Sequence, residues 1–283
     1  MRTYFITGAS SGFGASLAKA VLERGDRAVL TARRAGRLDA LAAAYPDRAL
    51  AIPLDVTDPA AREAAVAQAI EHFGRIDVLA NVAGRGSLGA AEEFCADELQ
   101  AQMDLNFHAP VELTRIVLPH MRRQGSGHIL QVTSVGGIAA VGGCAVYSAS
   151  KFALEGWSEG VSQEVAPFGI RVTIVEPGSF RTEFAGASTI IRPATMIGDY
   201  RPVIQPMADY LIGHAGTETG DPDKAANVMI AAVESDSPPL RLILSNGAMM
   251  FWGMKRDAVD RDVEAWRERS AATAFPEGVG EQH

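Results

Sequence analysis

Cysteine is nearly absent: Cys95 and Cys144 are the two in 283 residues, and no Cys-x-x-Cys pair occurs. That excludes a disulfide framework and a thiolate metal site, so no metal is expected and a reducing, cytoplasmic setting fits. There is no apolar run of 18 residues to cross a bilayer. The opening residues Met1 to Thr7 run straight into a glycine turn, leaving no room for a secretory leader. Basic residues are outnumbered, 26 to 34, for a net charge of −8. With no block of Lys or Arg to follow a phosphate backbone, nucleic acid is not expected as a partner, nor is a membrane. What remains is an ordinary globular composition, 47% hydrophobic and 21% charged, able to build a real core. One large domain is expected, since α/β domains reach about 250 residues.

Short β-branched or apolar runs alternate with longer helical patterns. Strands are expected at 2–7, 28–32, 50–54, 78–81, 128–134, 171–176 and 240–244, and helices at 14–24, 59–73, 97–123 and 148–167. Each parallel pair of strands needs a crossover, so this rhythm predicts an α/β fold: a Rossmann-type doubly wound parallel sheet of about seven strands. Two stretches break it. Residues 179–221 carry Ile, Met and Tyr side chains interrupted by Pro193, Pro202 and Pro206, and an insertion of that length reads as a lid or binding loop. Residues 1–246 are therefore taken as the catalytic unit including this loop. Residues 247–283 are taken as an extension: a helix packed on the domain, or alternatively a subunit contact, followed by a polar tail.

Thr7-Gly8-Ala9-Ser10-Ser11-Gly12-Phe13-Gly14 follows the first strand and opens the first helix. Glycines there permit a tight turn and let a phosphate approach backbone N–H groups at the positive helix end. The same letters contain Gly-x-Ser-x-Gly, the nucleophile elbow of serine hydrolases. That rival needs earlier strands for an oxyanion hole and a late histidine, for which only His214 and His283 are candidates. Arg33 and Arg34 end the second strand, about 20 residues after the turn, where an acidic side chain holds the ribose of NAD and an arginine accepts a 2′-phosphate. Their charge predicts NADP rather than NAD. Asp55-Val56 after the third strand reads as an adenine edge, or as a turn and helix cap before Pro59.

In Tyr147-Ser148-Ala149-Ser150-Lys151 a phenol and an ammonium stand four residues apart, on one helical face with Cβ atoms about 5–6 Å apart. A phenol of pKa roughly 10 needs about 3 units of help, or ~4 kcal/mol, to exchange protons near neutrality. A neighbouring cation gives that help, although alone the pair reads equally as an ordinary helix contact.

Taken with Asn81-Val82-Ala83-Gly84, Asn106, Ser134 and Glu176-Pro177-Gly178, all in order and spacing, these residues closely resemble the short-chain dehydrogenase/reductase family over roughly residues 1 to 245. The resemblance implies a tetrad of Asn106, Ser134, Tyr147 and Lys151. Tyr147 exchanges the proton with the substrate oxygen, Ser134 polarises the carbonyl, Lys151 lowers the phenol's pKa and holds the nicotinamide ribose, and Asn106 supports a water leading protons from Lys151. It implies a cofactor cradle in which Gly8, Gly12 and Gly14 line the pyrophosphate beside Ser10, Ser11 and Phe13. Asn81, Ala83 and Gly84 then flank the dinucleotide, and Pro177, Gly178 and Thr182 face the carboxamide. The family's usual second asparagine is here Val82, which bears on local packing only. A homodimer or homotetramer through the helices at 97–123 and 148–167 is also implied.

The expected reaction interconverts a secondary alcohol and a ketone or aldehyde with NADPH. The substrate side is expected from Val135, Gly136, Val141, Cys144, Ser179 and Phe180, mostly apolar or small, which suits an apolar substrate. Arg181 and Arg192 are alternative anchors for a substrate carboxylate. The non-enzymatic rival, a dinucleotide-binding sensor, needs the glycine turn but not Ser134 or Lys151.

Overall fold

The computed structural model describes residues 1–185 and 189–275. The remainder of the expected loop, 186–188, and the tail 276–283 with His283 lie outside the described residues. The elements in chain order are β1 (Thr3–Thr7), α1 (Gly12–Glu23), β2 (Arg27–Ala32), α2 (Asp39–Ala44), β3 (Ala49–Pro53), α3 (Pro59–Phe73), β4 (Val78–Asn81), β5 (Gly86–Ser87) and α4 (Ala96–Met103). Then come α5 (Ala109–Gln124), β6 (Gly127–Val132), α6 (Ala145–Val165), β7 (Ile170–Pro177), β8 (Ile190–Ile191), α7 (Arg201–His214), α8 (Pro222–Glu234), β9 (Arg241–Leu244) and α9 (Asn246–Ala271).

Seven strands form one sheet in the order β3-β2-β1-β4-β6-β7-β9, every pair parallel. Parallel sheets are covered on both faces, and the side-chain period of two divides β1 between them. Tyr4 and Ile6 pack with Leu17, Val21, Met229 and Ile230 of α1 and α8. Phe5 packs on the other face with Val66, Leu113, Val117 and Val161 of α3, α5 and α6. The chain leaves β1 toward β2 on one side, while β4 lies on the other. This reversal opens a crevice at the carboxyl ends of β1 and β4, where doubly wound sheets take ligands.

Several boundaries depart from the sequence reading, each for a local reason. The helix expected at 97–123 is broken by a π-turn at Asp104–His108. Pro110 has no N–H to donate to the carbonyl of Asn106 four residues earlier, and its ring crowds that carbonyl. The strand expected to reach Ser134 ends at Val132, because Ser134 leads into a 3₁₀ turn and its Oγ accepts from the N–H of Gly136 at 3.0 Å. The sequence reading assigned no helix to 222–234. There Asp221 caps α8 through the N–H groups of Asp223 and Lys224 at 2.9 and 3.2 Å, with Pro222 at the first turn. The 179–221 insertion is itself structured, with β8 paired to β5 and α7 packed by Ile204 and Ala208 against Leu88 and Ala90.

Helix α9, expected to pack on the domain or to make a subunit contact, has Ala248 as its one buried side chain. From Met249 onward its residues are exposed apart from half-buried Trp252, Gly253 and Ala258. Among the described residues no helix is long and apolar enough to cross a membrane, and no group of potential metal ligands gathers.

Candidate active site and dinucleotide cleft

A cleft of about 960 Å³ runs along the crevice and is lined by Gly8, Ser10, Ser11, Gly12 and Phe13, by Arg33 and Arg34, by Asp55 and Val56, by Ala83 and Gly84, and by Thr182. The glycine turn is built for close approach. Gly8 has φ 68° and an added Cβ would stand 3.1 Å from the Ala83 backbone, while Gly12 has φ 51°, a region that costs any other residue strain. Gly14 does not line the cleft; its place is packing, since an added Cβ would collide with the carbonyl of Gly8. Thr7, at the end of β1, joins the two edges of the crevice by accepting from the N–H groups of Val82 and Ala83 at 2.9 and 3.0 Å.

The adenosine end carries the expected charges. Arg33 and Arg34 are both exposed. The carboxylate of Asp55 is held below its usual range, chiefly by the hydroxyl of Thr57 at 2.7 Å, with Arg33 adding a smaller pull. Asn81 sits differently from expectation. Its Nδ2 donates to Pro110 O, Thr114 Oγ1 and Gln131 Oε1 at 3.3, 3.1 and 3.1 Å, so the side chain ties β4 to α5 and β6 rather than facing a ligand.

Near Gly84 the four tetrad candidates gather in two pairs, none of them among the residues that line the cleft. Gly84 measures one side: a Cβ there would stand 3.3 Å from Asn106 Oδ1 and 3.5 Å from Lys151 Nζ. Gly136 measures the other, 3.1 Å from Tyr147 Cε1 and 3.4 Å from Ser134 Oγ. Asn106 is fully buried; Nδ2 donates to Arg85 O at 2.9 Å and to Ser150 Oγ at 3.1 Å, and Oδ1 accepts from Arg85 N at 3.1 Å. Its side chain thus straps the loop after β4, and its carbonyl is the group deprived of an α-helical donor by Pro110. Lys151 is buried and donates to Val132 O at 2.9 Å. Burial lowers its pKa to about 8, opposed by the negative charge of Glu155. Tyr147 moves the opposite way: burial pushes the phenol up to about 12, against a pull from Ser134. Desolvation of the phenolate dominates, and the charge of Lys151 does not figure among the causes of this shift.

The expected substrate residues separate. Val135 and Gly136 flank Ser134 in the 3₁₀ turn. Cys144, beside Ile204 and Ala208 of α7, has its thiol pushed up to about 11 by burial, which makes it an unreactive packing residue. Val141 is half-buried, and Ser179 Oγ lies 3.5 Å from Tyr210 OH. Phe180 turns to the glycine turn instead, its ring 4.9 Å from that of Phe13. Gly178, after Pro177, packs on Ser245 and Ala248. Arg181 is spent on Glu218 O at 3.2 Å. The hydrolase reading finds no support: Ser10 lies in the phosphate-type turn, while His214 is exposed with Nδ1 2.8 Å from Tyr210 O.

Other contacts were not read from the sequence. The ring of Phe184 lies 5.9 Å from that of Tyr147, and Glu183, which lines the cleft, pairs with Arg37 at 3.6 Å. Beneath Lys151, Arg241 Nη1 holds both Glu155 and Glu176, and Thr133 Oγ1 donates to Glu155. Glu155 had a signal, standing one helical turn after Lys151. Arg241, Phe184 and Arg37 come from distant segments and had none.

Comparison with known proteins agrees with this architecture. The profile described as short chain dehydrogenase matches residues 2–190. The chain is 37% identical over 274 residues to oxidoreductase BOA17 of Botryotinia fuckeliana, covering 96% of this chain and 99% of that protein. It is 35% identical over 254 residues to retinol dehydrogenase 8 of Bos taurus, covering 85% and 80%. The crystal structure of a short-chain dehydrogenase from Streptomyces avermitilis superposes with a TM-score of 0.90 at 42% identity, over 97% of this chain and 100% of that one. Other solved similar structures are complexes with NADP, NADPH or NADH. With seven parallel strands, a glycine-lined crevice and a Tyr-Lys pair on one helix, the chain belongs to the short-chain dehydrogenase family and is an oxidoreductase that interconverts alcohol and carbonyl groups by hydride transfer with a nicotinamide dinucleotide.

Proposed function

We propose that the enzyme uses NADPH to reduce an apolar ketone or aldehyde to the alcohol, with Asn106, Ser134, Tyr147 and Lys151 as its working groups. The observation that carries this reading is the close approach of Asn106 and Lys151 to Gly84, which lines the cleft, and of Ser134 and Tyr147 to Gly136. The nicotinamide, when bound, supplies the hydride. Tyr147 then delivers a proton to the substrate oxygen, which suits a phenol whose pKa burial holds high. Ser134 donates to the same oxygen and orients it. Lys151, with a pKa lowered to about 8, changes charge near working pH, so its ammonium stabilises the phenolate and passes on a proton. Asn106 keeps the loop at Arg85 in place and offers its carbonyl to a proton-carrying water.

The preference for NADPH rests on Arg33 and Arg34 at the adenosine end, and Thr182 beside Gly12 closes the far wall. The apolar substrate rests on Phe184 over Tyr147 and on the Ile204 face of α7; the similarity to a retinol dehydrogenase points the same way. Residues 1–246 form the catalytic unit, the setting is cytoplasmic, and α5 and α6 are the surfaces through which a homo-oligomer forms.

The test is NADPH consumption over a panel of carbonyls. Tyr147→Phe is expected to cut kcat/KM by about 10²–10⁴-fold while NADPH still binds. Arg33→Asp is expected to weaken NADPH far more than NADH. Equal turnover of a sugar and an apolar ketone would remove the substrate reading, and a fully active Tyr147→Phe enzyme would remove the mechanism.

A further inference from the structure

Helix α9 leaves the body beside Gly178 and runs 26 residues, about 39 Å, with large apolar side chains in the open. Met249, Val263 and Trp266 are 54%, 55% and 57% exposed. Met249, Trp252, Arg256, Val259, Val263 and Trp266 follow one another at alternating steps of three and four residues. That period draws a narrow seam along a helix, the kind that accepts one partner helix in a left-handed pair. Guanidinium groups lie on both indoles, Arg256 at 5.2 Å from the Trp252 ring and Arg269 at 4.9 Å from the Trp266 ring. Trp and Arg are the side chains that dominate binding energy at interfaces.

Charge identifies the occupant. The chain carries −8, yet α9 has five basic and five acidic side chains. A neutral helix draws nothing from an anionic bilayer, which favours basic amphipathic faces, and it lets two acidic bodies meet with little repulsion. The positions flanking the seam carry both signs, basic at Lys255 and Arg267 and acidic at Asp260 and Asp262 between them. In a parallel pair Lys255 meets the partner's Asp260, and Asp262 meets the partner's Arg267. In an antiparallel pair Lys255 meets the partner's Asp262. Either way a second copy presents the opposite charge.

We propose that α9 is a self-association helix that pairs with α9 of a second copy of this chain, a surface separate from α5 and α6. The test is the mass in solution of the full chain, whose protomer is 30.0 kDa. Val259→Asp with Val263→Asp is expected to halve that mass while leaving NADPH turnover intact, since neither residue touches the cleft. Two charge variants guard against simple loss of the helix: Asp260→Lys with Asp262→Lys, and Lys255→Glu with Arg267→Glu. Each alone is expected to have half the wild-type mass, and their equimolar mixture to recover it. The proposal is overturned by a monomeric wild type, by an unchanged mass in the valine variant, or by a mixture that stays at half mass. Flotation of monomeric wild type with phosphatidylserine vesicles would likewise overturn it, in favour of a membrane surface.

Discussion

Asn106 grips the backbone of Arg85 at both ends, donating to its carbonyl at 2.9 Å and accepting from its N–H at 3.1 Å. One buried amide thus fixes the loop that carries Gly84, the residue lying between Asn106 and Lys151. It can do so because the π-turn carries Asn106 at its centre.

Asn106→Ala leaves the Arg85 backbone and Ser150 without these partners. Unpaired buried groups cost about 1–3 kcal/mol each, so the urea midpoint should fall with an unchanged m-value, and kcat should fall with it. Asn106→Asp keeps the acceptor and loses the donors, so it should lie between. An alanine variant with wild-type midpoint and kcat would show that the strap is idle.

The pH dependence of stability should carry the mark of Glu176. It is fully buried; Oε1 accepts from Arg241 at 2.8 Å, and Oε2 has no partner among the described residues. Burial first, then the charge of Glu155, raises its pKa to about 7. A carboxyl raised on folding stabilises the fold below its unfolded pKa, about 4.3, and loses that contribution as pH rises through the folded value. Unfolding free energy should therefore decline between about pH 4.3 and 7. Glu176→Gln, which keeps the acceptor for Arg241, should flatten this decline. Identical slopes in urea titrations of both proteins would refute the assignment.

Phe184 presents its ring to Tyr147 at 5.9 Å. Aromatic pairs of this kind contribute about 0.5–1.5 kcal/mol. Phe184→Ala should raise KM for an apolar carbonyl by roughly 2- to 10-fold, with NADPH affinity nearly unchanged because the glycine turn is untouched. A variant with unaltered KM would place the ring outside the substrate path.

Gly14→Ala drives a methyl into the carbonyl of Gly8 and to 3.0 Å from the N of Ala9. Overpacking of this kind costs about 1–3 kcal/mol, and here it opens the turn. Calorimetry should show a lower Tm and weaker NADPH binding together. Preserved binding in a destabilised protein would confine Gly14 to packing.

The candidate catalytic groups were legible in the sequence because their spacing is local or ordered along the chain. Tyr147 and Lys151 share one helix, Ser134 lies two residues past a strand, and Gly8 to Gly14 run from the turn after β1 into α1, so spacing alone puts each near its place. Asn81 shows where this stops: the family resemblance implied a place beside the dinucleotide, but three partners from α5 and β6 claim its side-chain amide. Phe180 fails in the same way, as its direction is set by Phe13, far away in sequence.

By itself the amino-acid sequence determined the alternation of strands and helices, the glycine turn and the Tyr-Lys pair, because periodicity and backbone permissiveness act over a few residues. Tertiary structure alone decided the rest. It turned the phenol's pKa upward through burial, joined Glu155 and Glu176 through Arg241, and left the seam of α9 facing outward. Those outcomes depend on which distant surfaces exclude water from a side chain, and the apolar spacing of a helix is the same whether its stripe meets the core or the solvent.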